Sequence, residues 1–181
     1  RGINSSDIFF EESKKHKGYS IEETSEALLT LVKEGKIRHF GISNETPWGI
    51  SQYLNFGCKH FIGIQNHFNL LNRGFEISHA EMIAMENLSL IAYSPLAGGL
   101  LVKKYNKFPK KMSKKDSFWL NQYHSDQNLA HITKLQHIAE ESDIKIHALA
   151  LQFVLSFNWV ASTIVGCSTV EQCKQNLVNI S

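Results

Sequence analysis

Polar and aromatic side chains stand in this sequence where apolar runs end, which is where a parallel strand would deliver ligand contacts. Ser43 and Asn44 follow the first run, Gln65 lies near the end of the second, and Tyr93 ends the third. Hydroxyl and amide groups can bind a carboxamide through paired donor and acceptor atoms, and an aromatic ring can stack on a flat ligand. The alternatives are a helix cap or turn for Ser43 and Asn44, and a core position for Tyr93.

Two loops in the sequence have the character of phosphate-binding loops. The first is Ser94, Pro95, Leu96, Ala97 and Gly98, where proline and glycine allow backbone N–H groups to approach a pyrophosphate. An ordinary turn is the alternative. In the second, Gly166, Cys167 and Ser168 lead from the fourth apolar run into a predicted helix, whose N-terminus attracts phosphate.

The elements that must position these residues read as alternating strands and helices. The apolar runs lie within residues 35–44, 61–66, 88–95 and 162–166. A capping box at Ser20–Glu23 begins a helix that Gly35 ends, and Thr46–Pro47 begins another that ends near Gly57. Further helices are expected over about 77–86, 129–138 and 149–157, and from Ser168 as N-cap. This order predicts βα units whose functional face is the carboxyl edge of a parallel sheet.

Taken in this order, the segments resemble the second half of an aldo-keto reductase, in the branch of the Tas-like oxidoreductases and the potassium-channel β subunits. The resemblance runs from about Ile21 to Asn176. It rests on G-K-I-R-x-x-G-I-S-N, a strand carrying Gln65, A-Y-S-P-L-A-G-G-L-L, and G-C-S-T-x-E-Q-C-K-Q-N. It implies an α/β fold that is a partial (β/α)₈ TIM barrel, about the last four βα units, since a whole barrel takes about 250 residues.

The same resemblance places the catalytic groups of the family outside this chain. The family uses an Asp, a Tyr, a Lys and a His from its first half, and none has a matching position here. The tetrad is therefore expected upstream of Arg1. We expect residues 1–181 to be a single domain from the C-terminal part of a barrel, without the N-terminal half and the extreme C-terminus.

A nicotinamide cofactor is the other implication of the resemblance. Family positions matching Ser43, Asn44 and Gln65 hold the nicotinamide amide, and Tyr93 with its loop lies along the cofactor. The adenosine end is surrounded by positions matching Gly166, Ser168, Gln172, Gln175 and Asn176. Many members have a Lys at the first of these and an Arg at the third to bind the 2′-phosphate. Both are absent here, as in this branch, and we expect NADP(H) more than NAD(H).

A lysine-rich stretch adds one further candidate. Seven lysines fall between Lys103 and Lys115. A solvated loop explains most such runs, but in the resembled branch this connection folds over the cofactor. Lys104 is therefore a candidate for a phosphate contact.

Bulk composition is that of an ordinary cytoplasmic domain. Hydrophobic content of 43% and charged content of 20% are near globular averages, and a net charge of +2 is too small to indicate nucleic acid. No apolar run approaches the roughly 18 residues of a membrane span. Three cysteines without C-x-x-C indicate reduced thiols, and the histidine spacing predicts no metal site.

The function expected from these observations is hydride transfer between NADP(H) and a small carbonyl or alcohol. The parent protein would be the enzyme, and this chain its cofactor-binding part without catalytic residues. The alternatives are a non-catalytic cofactor-binding regulatory subunit and an inactive fragment. Neither the substrate nor the oligomeric state can be read from the sequence, although Phe68 and Trp119, the second of which lies outside the residues that the structure describes, are candidates for lining a substrate pocket.

Overall fold

The computed structural model of the chain describes residues 19–56, 59–103, 123 and 125–177. Helices and strands alternate in these ranges, as the sequence predicts. The helices are α1 (Ile21–Lys33), α2 (Pro47–Asn55), α3 (Gly74–Ser78), α4 (Ala80–Met85), α5 (Asp126–Glu141), α6 (Ile146–Leu155) and α7 (Val170–Leu177). The strands are β1 (Phe40–Ser43), β2 (Phe61–His67), β3 (Ser89–Tyr93) and β4 (Val160–Ile164), and a 3₁₀ turn covers Ala97–Gly99.

The described strands form one sheet in chain order, β1-β2-β3-β4. β1 and β2 are parallel, with Ser43 opposite Gln65. The predicted α/β class is therefore confirmed. By its internal contacts the chain divides into two compact units, described residues up to 66 with 74–91, and residues 67–73 with 92–177.

Local sequence signals set the helix ends of the first unit. The Ser20 hydroxyl accepts the Glu23 N–H at 3.0 Å and begins α1, and Gly35 follows α1 with a φ of +70°. The Thr46 hydroxyl accepts the Gly49 N–H at 3.1 Å, with Pro47 as the first residue of α2. These caps confirm the predicted starts of both helices and the predicted end of α1. Gly57, the predicted end of α2, lies outside the described residues.

One predicted helix of the first unit is divided in two. The sequence indicated a single helix over about 77–86, but α3 ends at Ser78 and α4 begins at Ala80. His79 between them has a φ of −126°, and its Nε2–H donates to the Glu45 carbonyl at 2.9 Å. The break therefore lies at a residue that is bonded to the β1–α2 loop. Asn87, with a φ of +52°, follows α4 as the sequence predicted.

Two strand glycines allow the backbones of the first unit to approach closely. A Cβ at Gly41 would lie 2.8 Å from the Gly63 carbonyl oxygen, and one at Gly63 would lie 2.5 Å from the Ser89 carbonyl oxygen. Neither oxygen can move without disturbing the sheet. Side chains are therefore excluded from both positions.

We expect the substitution Gly63→Ala to lower the free energy of unfolding by about 2 kcal/mol, because the new methyl group must displace backbone. This corresponds to a melting temperature lower by about 4–8 °C, measured by calorimetry. Gly166→Ala is the matched control, since a Cβ there meets nothing within 4 Å, and its effect should stay within about 0.5 kcal/mol. Equal melting temperatures for the two variants would contradict the close approach.

The core of the second unit is built from two groups of side chains. One group is aliphatic and surrounds Tyr123, and its buried members are Ala97, Leu100, Leu101, Ile132 and Ala150. The other is aromatic: Phe68 contacts the rings of Phe153, Phe157 and Trp159 at centroid distances of 5.1–5.6 Å. Phe68 is fully buried there, so the prediction that it lines a substrate pocket is wrong.

Several boundaries of the second unit differ from the prediction by one to three residues. The predicted helices around 129–138 and 149–157 are α5 and α6, and the hydroxyl of Ser125 caps α5 by accepting the Asn128 N–H. β4 begins two residues before the predicted run at 162–166. The N-cap of α7 is Thr169 rather than Ser168, because the Thr169 hydroxyl accepts the Gln172 N–H at 3.2 Å.

Candidate functional site

In the first unit, Ser43, Asn44 and Gln65 lie together at the carboxyl ends of β1 and β2. Ser43 is opposite Gln65 in the strand register, and the Asn44 N–H donates to the Gln65 carbonyl at 3.0 Å. Asn44 has a φ of +55°, a left-handed conformation that asparagine tolerates better than most residues. Ser43 and Asn44 are exposed and Gln65 is partly buried. The structure therefore brings these three predicted residues to one edge.

The loop that follows β1 is held by buried polar contacts within the same unit. Glu45 is 7% exposed, and its carboxylate accepts the Thr46 N–H at 3.0 Å. His79 bonds to the Glu45 carbonyl, and burial lowers the pKa of His79, while its contacts with Glu45 oppose that shift. The backbone that displays Ser43 and Asn44 is thus fixed from two sides, which favours a preformed edge.

In the second unit, Tyr93 ends β3 with its ring stacked on the imidazole of His67. The ring centroids are 5.1 Å apart and the planes are 6° from parallel. Tyr93 is partly buried, and burial raises its pKa. The aromatic platform predicted at Tyr93 therefore has a second ring behind it, which the sequence had not indicated.

The loop after Tyr93 follows a largely left-handed path. Ser94, Ala97, Gly98 and Gly99 have φ values between +51° and +87°. The Ala97 N–H donates to the Ser94 carbonyl and the Gly99 N–H to the Leu96 carbonyl, so both of these donors are used within the loop. Pro95 and Ala97 are buried, whereas Leu96 is partly buried and Gly98 is exposed. A ligand would meet this loop mainly through its exposed backbone.

A buried polar cluster underlies Tyr93 and its loop. Asn69 is fully buried, and its Nδ2 donates to the Ser94 carbonyl at 2.8 Å and to the Tyr123 hydroxyl at 2.9 Å. Its Oδ1 accepts the N–H groups of Leu71 and Asn72, both at 2.9 Å. The Asn69 amide therefore holds three features together: the strained start of the loop at Ser94, the side chain of Tyr123, and the turn from Asn69 to Asn72.

His67 completes this cluster as a neutral imidazole. Asn72 Nδ2 lies 3.0 Å from His67 Nδ1, and both Asn69 Nδ2, at 3.1 Å, and the Tyr123 hydroxyl lie within hydrogen-bond distance of Nε2, so each ring nitrogen has a polar partner. Burial lowers the pKa of His67 to about 4 and raises the pKa of the Tyr123 hydroxyl. Neither group is charged near neutral pH, so the cluster works through hydrogen bonds and ring contacts.

The residues predicted at the adenosine end lie on the loop and first turns that form α7. The Ser168 N–H donates to Gln172 Oε1 at 2.8 Å, and Asn176, which is buried, donates from Nδ2 to Cys167 Sγ at 3.3 Å. The remaining predicted residues of this set are exposed: Gly166, Ser168, Gln172 and Gln175. The turn is therefore closed by its own side chains, and the Gln172 amide is already engaged.

Some predictions fall beyond what the structure describes. Lys104, with the rest of the lysine-rich stretch up to Lys115, lies outside the described residues, as does Cys58. The described cysteines, Cys167 and Cys173, are free thiols. Within the described ranges, no three His, Cys, Asp or Glu side chains are grouped as metal ligands, and no helix is both long and apolar enough to cross a membrane.

Sequence reasoning missed His67, Asn69 and Tyr123. The search for polar side chains at strand ends, which identified Gln65, could also have identified His67 and Asn69. His67 is the last residue of β2, and Asn69 follows it closely. Tyr123 could not be identified in this way, since 54 and 56 residues separate it from its two partners. No local spacing in the sequence reports a contact of that range.

Comparisons with known proteins find related sequences over most of the chain. A family model described as the aldo/keto reductase family matches residues 4–180. Protein tas of Escherichia coli is 34% identical over 167 residues, covering 89% of this chain and 48% of that protein. An aldo-keto reductase of Babesia bovis is 32% identical, covering 87% of this chain and 59% of that protein. The chain thus spans about half the length of the curated relatives it matches.

A solved structure of another protein has a similar fold. The glycerol dehydrogenase of Gluconobacter oxydans superposes with a TM-score of 0.68 at 23% sequence identity, covering 89% of this chain and 54% of that one. The α/β architecture with its four-stranded sheet therefore corresponds to part of that larger fold, as the sequence predicted.

Proposed function

Because the chain belongs to the aldo/keto reductase family, we propose that it binds NADP(H) and orients the nicotinamide for hydride transfer to or from a small carbonyl or alcohol substrate. The observation that carries the proposal is the grouping of Ser43, Asn44 and Gln65 at the adjoining ends of β1 and β2. A nicotinamide carboxamide needs one acceptor and one or two donors. A hydroxyl and two side-chain amides supply both.

Taken by itself, the second unit also has groups of the kinds that bind a dinucleotide. Tyr93 offers an aromatic ring at the end of β3, of a kind that stacks on a nicotinamide. The exposed backbone around Gly98 and the N-terminus of α7 are suited to phosphate groups through N–H donors. We propose that the adenosine end lies against Gly166, Ser168, Gln172, Gln175 and Asn176.

The preference for NADP(H) over NAD(H) depends on a cation that would bind the 2′-phosphate. Gln172 provides an amide where a cation would bind a 2′-phosphate best, and that amide already accepts the Ser168 N–H. A cation would have to come from elsewhere in the chain, and Lys104 is our candidate. The ratio of the two affinities tests this part separately from cofactor binding itself.

The chemical role of this chain is binding and orientation rather than proton transfer. The bound cofactor supplies the hydride. The Tyr123 hydroxyl and the His67 imidazole are buried and hydrogen-bonded to each other, so neither is placed to protonate a substrate. We propose that the general acid comes from residues outside this chain. The chain alone should then bind cofactor without turnover, as a non-catalytic regulatory subunit also would.

The test is a fluorescence titration of the full chain with NADPH and with NADH, alongside Gln65→Ala. We expect saturable binding of both, tighter for NADPH. Gln65→Ala should weaken NADPH binding roughly tenfold, because a carboxamide partner is lost. Gln127→Ala, an exposed substitution at the start of α5, is the control and should bind as the wild type does.

Three outcomes would count against the proposal or one of its parts. A folded chain that binds neither cofactor would refute it as a whole. Binding that Gln65→Ala leaves unchanged would refute the placement of the carboxamide. Tighter binding of NADH than of NADPH would overturn the preference alone.

A further inference from the structure

The His67 ring behind Tyr93 has no part in the proposed contacts with the cofactor, yet it stacks directly on the Tyr93 ring. His67 and Tyr93 are stacked within 6° of parallel. The His67 ring also meets the Tyr123 ring edge-on, at a centroid distance of 5.7 Å and an interplanar angle of 75°. The imidazole is therefore held between two tyrosines, one parallel to it and one perpendicular.

Hydrogen bonds fix the orientation of the imidazole in its plane. Both ring nitrogens have partners, Asn72 on Nδ1 and the Tyr123 hydroxyl on Nε2. Tyr123 is fixed in turn by Asn69, which also holds the Ser94 carbonyl next to Tyr93 in the chain. His67 is 8% exposed and Tyr123 is 3% exposed. Rotation of the imidazole would break buried hydrogen bonds, so its plane is fixed.

We infer that His67 is a positioning residue that sets the plane of the Tyr93 ring, and thereby the plane in which a nicotinamide can stack on it. The inference rests on the proposed function. A tyrosine at a strand end can otherwise rotate about χ1 and χ2, and a ligand must then order it on binding. A fixed second ring removes that cost, which is the general benefit of a preorganised site.

An acid–base role for His67 and Tyr123 is the alternative interpretation, and the structure disfavours it. Burial lowers the pKa of His67 to about 4 and raises that of Tyr123. The described groups facing the imidazole are Tyr93, Tyr123, Asn69 and Asn72, and none is charged at neutral pH. The pair neither titrates in that range nor reaches solvent, so support of the ring is the role that the geometry allows.

Two substitutions separate the ring from its hydrogen bonds. His67→Phe keeps a flat ring behind Tyr93 but cannot hydrogen-bond to Tyr123, whereas His67→Gln keeps a polar amide but has no ring. We expect His67→Gln to bind NADPH roughly tenfold more weakly. His67→Phe keeps a ring behind Tyr93 without the bonds that fix its plane, so its NADPH affinity should fall between those of the wild type and His67→Gln, and it should unfold at lower urea concentration.

The measurement pairs NADPH with 2′,5′-ADP, which has the adenosine end and no nicotinamide, on the full chain at a temperature where every variant is folded. The expected result is a loss for His67→Gln with NADPH alone. In a Tyr93→Ala background, His67→Gln should have no further effect, because the platform is gone. Equal losses for both ligands, or NADPH binding unchanged in His67→Gln, would overturn the inference. If the wild type bound neither ligand, the proposed function would fail first.

Discussion

Replacing Asn69 by alanine is expected to lower the free energy of unfolding by about 3 kcal/mol, among the largest effects of a single substitution. The amide is fully buried and bonds to the Ser94 carbonyl, the Tyr123 hydroxyl, and the N–H groups of Leu71 and Asn72, and its Nδ2 also lies 3.1 Å from His67 Nε2. Alanine removes these side-chain bonds: the Leu71 N–H loses its acceptor, whereas the Ser94 carbonyl keeps the Ala97 N–H and the Asn72 N–H keeps the Asn69 backbone carbonyl. An unsatisfied buried polar group costs about 1–3 kcal/mol, and local relaxation recovers part of the total.

Urea unfolding followed by circular dichroism measures this change, and two further variants interpret it. Asn69→Asp keeps an acceptor for Leu71 and Asn72 but loses the donors, so a result between wild type and Asn69→Ala shows that both halves of the amide contribute. Asn55→Ala, at the exposed end of α2, is the control and should change the value by less than about 0.5 kcal/mol. An Asn69→Ala protein as stable as this control would show that the cluster does not support the second unit.

The features that could be predicted from the sequence are those decided by neighbours within a few residues. Caps at Ser20 and Thr46, and the glycine at Gly35, depend on bonds three residues along the chain or on one backbone angle. The positions of Ser43 and Gln65 at strand ends follow from the length of each apolar run. When strands are parallel and in chain order, such ends meet at one edge. Local sequence patterns were therefore enough to predict the part of the candidate site that Ser43 and Gln65 form.

The features that escaped prediction depend on contacts between distant parts of the chain. Asn69 bonds to Ser94, 25 residues away, and to Tyr123, 54 residues away. The helix break at His79 coincides with a bond to Glu45, 34 residues earlier. Phe68 reads as a rim residue because it follows a strand, but the rings of Phe153, Phe157 and Trp159 enclose it. In each case the deciding partner is invisible to periodicity and spacing.

The same buried cluster predicts a loss of stability in mild acid. The pKa of His67 is lowered from 6.5 to about 4 in the folded chain, so between these two values the unfolded chain binds a proton that the folded chain does not. Stability then falls as the pH falls through this window and is fully present above 6.5. Each unit of pKa difference corresponds to about 1.4 kcal/mol, so His67 alone accounts for about 3 kcal/mol between pH 6.5 and pH 4.

Urea unfolding of the wild type and of His67→Gln across pH 4–7.5 isolates this contribution. Carboxylates and the other histidines, His79 among them, titrate in both proteins and cancel in the difference. The wild type should therefore lose about 3 kcal/mol more than His67→Gln on going from pH 7 to pH 4, with most of the divergence below pH 6. If the free energy of unfolding fell equally with pH in both proteins, His67 would be solvated enough to become protonated in the folded chain. A fixed imidazole behind Tyr93 requires that His67 stay neutral in the folded chain. A protonated ring would have to donate from Nδ1 toward the Asn72 amide, which is itself a donor.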